Sequence, residues 1–443
     1  MSFPRTHRAV GRGPGSARAR MSQRGATAGA ERGATTALRS VGLLDVLHEY
    51  VCGALGRAPY IRTPFRSLVT RPVEKCGLTA ATLVALLAAA GCAGTRSAPK
   101  FAYSPESFVL AVWARAPEMS AEDLVVPFRV SPAMVARAKD ITAGAPTDWV
   151  KAELLMQSLT DEDGFGLVYN AVATSPPEVT VERGYGNCLA LTSIFIGLAR
   201  EIGLTAYYVD ASDRVNDLRR EQGIIVDSGH IAGAVRTEKG HTLVDYDGYV
   251  SHYRTFKIID DITALAHYYN NLGFEMIFAA QQADETVPWQ QIEHKFELAT
   301  MVRPDFTLAY NNLGVVYTRL GDLDAAAAAY RTAIETDPES DAAYHNLGNL
   351  QMREGDLGAA LASYDKALEL RRRNPYLHYH RGLVQYRLDE LDAAEESFKK
   401  AIELERDYLE PRNLLAQLYY EQGRVEEAEK VRAAVQRILA ERR

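Results

Sequence analysis

Tyr310-Asn311-Asn312-Leu313-Gly314 opens a unit that closes at Asp337-Pro338, and the chain restates that unit with a period of 34 residues. Gly314, Gly348 and Gly382 fall in one register, with Ala416 next in phase. Ala326, Ala360, Ala394 and Ala428 keep a second register, and Tyr330, Tyr364 and Phe398 a third, followed by Ala333, Ala367 and Ala401. A period of this size marks one supersecondary unit stacked along the chain. Small residues at fixed points let two antiparallel helices approach closely, and the recurring aromatic wedges between neighbouring pairs. The full units run 307–340, 341–374, 375–408 and 409–443. A degenerate unit, 266–306, begins at Tyr269-Asn270-Asn271-Leu272-Gly273, and its second helix ends seven residues later than the period allows. The final helix replaces the aromatic by Arg432 and is heavily charged, as a terminal cap facing water must be.

This pattern resembles the tetratricopeptide repeat. The resemblance implies an all-α solenoid over 266–443, with a concave groove lined by the first helix of each unit. In that groove Arg319, Arg353 and Arg387 recur at the repeat period, with Asn311, His345 and Tyr379 one or two turns earlier. They are candidate contacts for a protein or peptide partner, an acidic segment or a C-terminal carboxylate. The competing reading is a row of cations that only solvates the helices.

Working outward, 443 residues suggest two or three domains. With 47% apolar and 24% charged residues, the composition excludes a collagen-like, wholly disordered or polytopic membrane protein. Residues 1–91 hold twelve Arg and Lys75 against Glu31, Asp45, Glu49 and Glu74, a net charge of +9. The whole chain is −7, so the remainder carries −16. An acidic body does not suit a nucleic-acid partner, because phosphate contacts need clustered cations. Cys52, Cys76, Cys92 and Cys188 show no CxxC spacing and no Cys/His cluster, so neither a zinc site nor another cofactor is expected. The acidic run Asp161-Glu162-Asp163 lacks the alternating ligands of a calcium loop and reads as a polar turn.

The Arg-rich segment 1–91 ends in a positive flank, Arg71 to Lys75, and a short uncharged apolar stretch from Cys76 to Cys92. That reads as a secretory signal, too short for a stable span. Leu87-Ala88-Ala89-Ala90-Gly91-Cys92 resembles the lipobox of bacterial lipoproteins, with Ala89 where that family usually places Leu. The resemblance implies cleavage before Cys92, a lipid on that cysteine, and a membrane-anchored place in the bacterial cell envelope. Ala93 rather than Asp follows, which favours the outer membrane facing the periplasm over the inner membrane. Plain secretion with cleavage nearby is the other reading. Residues 1 to roughly 68 exceed any ordinary signal and are expected to be a mis-called start.

Residues 92–262 read as mixed α and β. Helices are expected from Pro105 towards Arg115, from Ser131-Pro132 to Thr142, and over 147–158, while Pro176-Pro177 is expected to end any regular element. After Cys188 eleven residues carry no charge, which marks a helix buried on every side. Gly184 and Gly186 supply a tight turn and Asn187 an N-cap. Cys188 then opens a buried helix, where backbone N–H groups and the helix dipole favour thiolate and could hold an oxyanion. The competing reading is a small buried hydrophobe. Strands are expected over 204–210, 228–235 and 241–247, with a turn at 237–240. If Arg236 pairs with His241, period two puts His230, Asp245 and Asp247 on one face. His241 reads as an exposed strand-end residue.

Cysteine, histidine and aspartate in this order, on helix, strand and strand, resemble the transglutaminase-like superfamily of papain-type folds. That implies an α+β domain with Cys188 as nucleophile, His230 as general base and acid, and Asp245 as the orienting carboxylate, Asp247 being the alternative. Asn187 departs from the Gln of better-known members. The expected function is an envelope-anchored cysteine acyl-transfer enzyme, protease or transglutaminase in type, acting on peptide or side-chain amides with the repeats recruiting a protein. The alternative is a catalytically idle scaffold acting through the repeats.

Overall fold

The computed structural model describes residues 101–211, 218–221, 224–227, 230–246 and 256–441. Cys52, Cys76, Cys92 and Asp247 lie outside them. The chain divides into two units, 1–63 and 64–443, and every described residue belongs to the second.

Local chemistry sets the helices of the α+β body. Ser104, Ser131 and Thr147 each accept a bond from the backbone N–H three residues on, opening α1 (Pro105–Arg115), α2 (Pro132–Ile141) and α3 (Asp148–Thr160). Next come β1 (Val168–Tyr169) and α4 (Pro177–Arg183). The second of these corrects the sequence expectation, because Pro176-Pro177 starts a helix instead of ending regular structure. The N–H that proline lacks has no intrahelical partner in a first turn, so nothing is lost there. Gly184, at φ 76, closes α4, and β2 (Tyr185–Gly186) pairs in parallel with β1.

Then α5 (Cys188–Glu201) runs through the core, buried at every position from Cys188 to Ala199. Gly197 permits this: a Cβ there would lie 2.3 Å from the Phe128 carbonyl oxygen. The helix packs on a four-stranded antiparallel sheet of order β7-β6-β3-β8. Its strands are β3 (Thr205–Asp210), β6 (Ile231–Thr237), β7 (Gly240–Val244) and β8 (Lys257–Ile259), while β4 (Leu218–Glu221) and β5 (Ile224–Asp227) form a separate hairpin. Arg236 pairs with His241 as the turn predicts, and the ladder runs to Gly233 opposite Val244. The strand expected from residue 228 begins at Ile231, so His230 immediately precedes it, and Asp245 immediately follows β7.

One helix joins body and arm. α6 (Asp261–Gln282), capped by the Asp260 side chain, lies against α1 and β3 and also pairs with the first arm helix. Arg200 grips the buried Asp261 with two bonds of 2.8 Å, tying α6 to α5. Beyond it run α7 (Trp289–Val302), α8 (Thr307–Leu320), α9 (Leu323–Thr336), α10 (Asp341–Glu354), α11 (Leu357–Leu370), α12 (Pro375–Arg387), α13 (Leu391–Leu404), α14 (Leu409–Glu421) and α15 (Val425–Glu441). Every unit but the last is closed by a glycine that seats an aromatic ring. A Cβ at Gly314 would meet the Tyr330 ring at 2.4 Å, at Gly348 the Tyr364 ring at 2.9 Å, and at Gly382 the Phe398 ring at 2.8 Å. Gly273 does the same for Phe296, at 2.6 Å. The ring follows its glycine by sixteen residues in the first three full units and by twenty-three in the degenerate one, which accounts for the seven extra residues.

Candidate functional site

Asn187 builds the mouth of α5. Its side-chain oxygen accepts from the Ala190 N–H at 2.9 Å, its carbonyl accepts from Leu191 at 3.0 Å, and its own N–H donates to the Ala173 carbonyl at 3.0 Å. The N–H groups of Cys188 and Leu189 remain at the open end of the helix, where geometry and dipole favour an anion. Cys188 is buried, 7% exposed as a residue.

His230 is buried and its Nε2 lies 3.2 Å from Oδ2 of Asp245, a carboxylate with no exposed side-chain surface. The ring is also within hydrogen-bonding reach of Cys188. Burial works against the imidazolium. The hydrogen bonds with Asp245 and Cys188 and the charges of both outweigh it, and the pKa is pushed up to about 10. The backbone is pinned by the Ala211 N–H donating to the His230 carbonyl at 2.9 Å. Thus Cys188, His230 and Asp245 come together in the structure. His241 is exposed on β7, its ring 6.4 Å from that of Phe256.

Two further side chains, Glu275 and Thr174, complete the surroundings. Glu275 of α6 accepts from the Thr174 N–H at 2.7 Å and from its hydroxyl at 2.5 Å. The Asn187 amide donates to the Thr174 hydroxyl at 2.6 Å and to the same Glu275 oxygen at 3.2 Å. Burial raises the Glu275 carboxyl to about 7, although the Thr174 bonds and the Arg183 charge pull the other way. The signal was in the repeat register. Two residues after the ring-seating glycine the full units carry the buried apolar side chains Val316, Leu350 and Val384, where the degenerate unit carries Glu275.

In the arm, Arg353 and Arg387 are exposed and Arg319 is half-buried, and an Arg353 guanidinium nitrogen donates to the Thr318 carbonyl at 3.4 Å. Asn311 and His345 are buried, so they do not line an open groove as expected. Instead, asparagine amides join successive units: Asn312 donates to Asn270 at 2.8 Å and Asn346 to Asn311 at 2.9 Å. Tyr379 is half-buried, its ring centroid 5.3 Å from that of Tyr408. Strand β5 of the body lies against α8 and α10. Among the described residues no cluster of His, Cys, Asp and Glu is arranged to hold a metal ion, and no helix is long and apolar enough to cross a membrane.

Residues 316–355 and 352–389 match a family model described as TPR repeat, and residues 385–441 match one described as tetratricopeptide repeat. The C-terminal arm is therefore an all-helical solenoid of tetratricopeptide repeats, an architecture suited to protein binding. No curated protein matches the chain. Among solved structures, the chain is similar to MamA from Desulfovibrio magneticus RS-1, at 14% identity and a TM-score of 0.36, covering 40% of this chain and 96% of that one. PilF of Pseudomonas aeruginosa is 19% identical with a TM-score of 0.36, over 40% of this chain and 77% of that one. The first repeat domain of Spaghetti (RPAP3), bound to the HSP90 peptide SRMEEVD, is 22% identical with a TM-score of 0.26, over 26% of this chain and 93% of that one.

Proposed function

We propose that the repeat arm captures a protein or peptide and that the body performs cysteine acyl transfer on an amide of that class of partner. The observation that carries the chemical half is the buried His230–Asp245 pair at 3.2 Å with Cys188 beside the same imidazole. Such a set can run amide cleavage in two steps. The Cys188 sulfur attacks the carbonyl carbon, and the oxyanion forms at the mouth of α5, near the N–H groups of Cys188 and Leu189. The His230 imidazolium then protonates the departing amine as the C–N bond breaks. Water or an amine, deprotonated by neutral His230, attacks the thioester and returns the thiolate. Asp245 holds the ring and its positive charge throughout. Hydrolysis makes a protease and aminolysis a transglutaminase, and both use these residues in these roles.

The resemblance to the transglutaminase-like superfamily supports the assignment, as does the α+β body in which β6 follows His230. For the partner, Arg353 and Arg387 are the exposed cations suited to an acidic segment or a terminal carboxylate. Because β5 lies against α8 and α10, the proposed docking station is the part of the groove around Arg387. The second reading, an idle scaffold acting through its repeats, is favoured by the 7% exposure of Cys188 and by the repeat matches. Anchorage through a lipid on Cys92, in the bacterial envelope, belongs to the same proposal; a mature N-terminal peptide beginning at acylated Cys92 is its test.

Alkylation separates the two readings. Iodoacetamide should modify Cys188 in the native chain near neutral pH, and His230→Ala should slow it about tenfold or more, because the neighbouring imidazolium that favours the nucleophilic sulfur is lost. Modification only after unfolding, at a rate indifferent to His230, would leave the scaffold.

A further inference from the structure

Glu275 lies in the repeat arm, yet every hydrogen bond given above for its carboxylate goes to the body. Its neighbours on α6 anchor it. Phe274 packs in one arm cluster with Tyr330 and Leu347, and Ile277 in another with Phe296 and Leu313. Val172 of the body packs against the Phe274 cluster, so the loop of Val172, Ala173 and Thr174 is held from both sides. Ala173 accepts the Asn187 N–H and Thr174 bonds both Glu275 and the Asn187 amide. Arm core, loop and helix cap thus form one connected path that ends at Cys188. Packing alone does not call for a carboxylate here, because Val316, Leu350 and Val384 fill the equivalent positions. Burying a carboxylate is unfavourable unless it is well bonded, and this one accepts from three donors.

We propose that Glu275 is a positioning residue for the cysteine site, fixing through Thr174 and Asn187 the direction in which α5 presents Cys188 to His230. It rests on the acyl-transfer reading above. Arg183 of α4 and Tyr268 of α6 are the other titratable groups that interact with it.

The test is the rate of Cys188 modification by iodoacetamide, followed on its own peptide in the full chain from pH 6 to 9. Glu275→Ala should slow it about fivefold near neutrality and move the profile to higher pH, as expected when a buried acceptor in a linked network is lost. Glu275→Gln keeps an acceptor oxygen and should remain within about twofold of the parent. Thr174→Val removes the middle hydroxyl at nearly constant volume and should follow Glu275→Ala. A folded Glu275→Ala with the parental rate and profile overturns the proposal, as does Glu275→Gln being equally slow. Should Glu275→Ala fail to fold, a parental profile in Thr174→Val overturns it instead. His230→Ala is measured alongside. If it is slow while the Glu275 variants are not, only the positioning role fails; if it has no effect, the acyl-transfer reading fails.

Discussion

Three side chains from different parts of the chain share one imidazole-centred cluster, and the ionisation of His230 is set by what it touches. Glu275 shows how this reaches stability. Its folded pKa of about 7 lies above the 4.5 of a free glutamate, with burial the dominant cause. Between these values the folded chain binds the proton more strongly than the unfolded chain, so stability falls as pH rises through that window. Glu275→Gln removes the titration. Its melting temperature relative to the parent should therefore increase from pH 5 to pH 8, by the equivalent of on the order of 2 kcal/mol. Equal differences at the two pH values would contradict the burial of an ionisable carboxyl.

At the scale of elements, glycine and ring define the repeat. Gly348→Ala places a methyl 2.9 Å from a Tyr364 ring carbon that is itself fully buried. The ring must shift, and the arm should lose about 1–3 kcal/mol in denaturant unfolding; an unchanged midpoint would show that the ring has room to move. Most helices of the arm were legible because 34-residue periodicity survives in glycine, alanine and aromatic positions. The cap at Asn187 and the helix starts at Ser104-Pro105 and Ser131-Pro132 were legible for a local reason, since a capping oxygen or a first-turn proline marks each; Thr147, read as the first helical residue, is the cap. The hairpin register was legible because Thr237 to Gly240 leaves room for one tight turn. What local pattern could not show was contact across the chain. α4 was missed because a proline pair reads as a break unless its place in the first turn is known. Asn311 and His345 read as groove residues, but the stacking of neighbouring units buries them. Glu275 was visible only as a carboxylate out of register, and its partner Thr174 lies 101 residues away.

Across the whole molecule, α6 makes body and arm continuous, and Glu275 gives that continuity a route to Cys188. A partner held in the groove would therefore act on the same structure that carries Cys188. The proposed chemistry depends on His230 being an imidazolium held between Cys188 and Asp245. The most direct measurement is its titration by NMR in the full chain with 15N-labelled histidine, assigned through His230→Ala. The expected result is a pKa near 10 that falls clearly in both Cys188→Ala and Asp245→Asn. A value near 6.5, unmoved by either substitution, would contradict it.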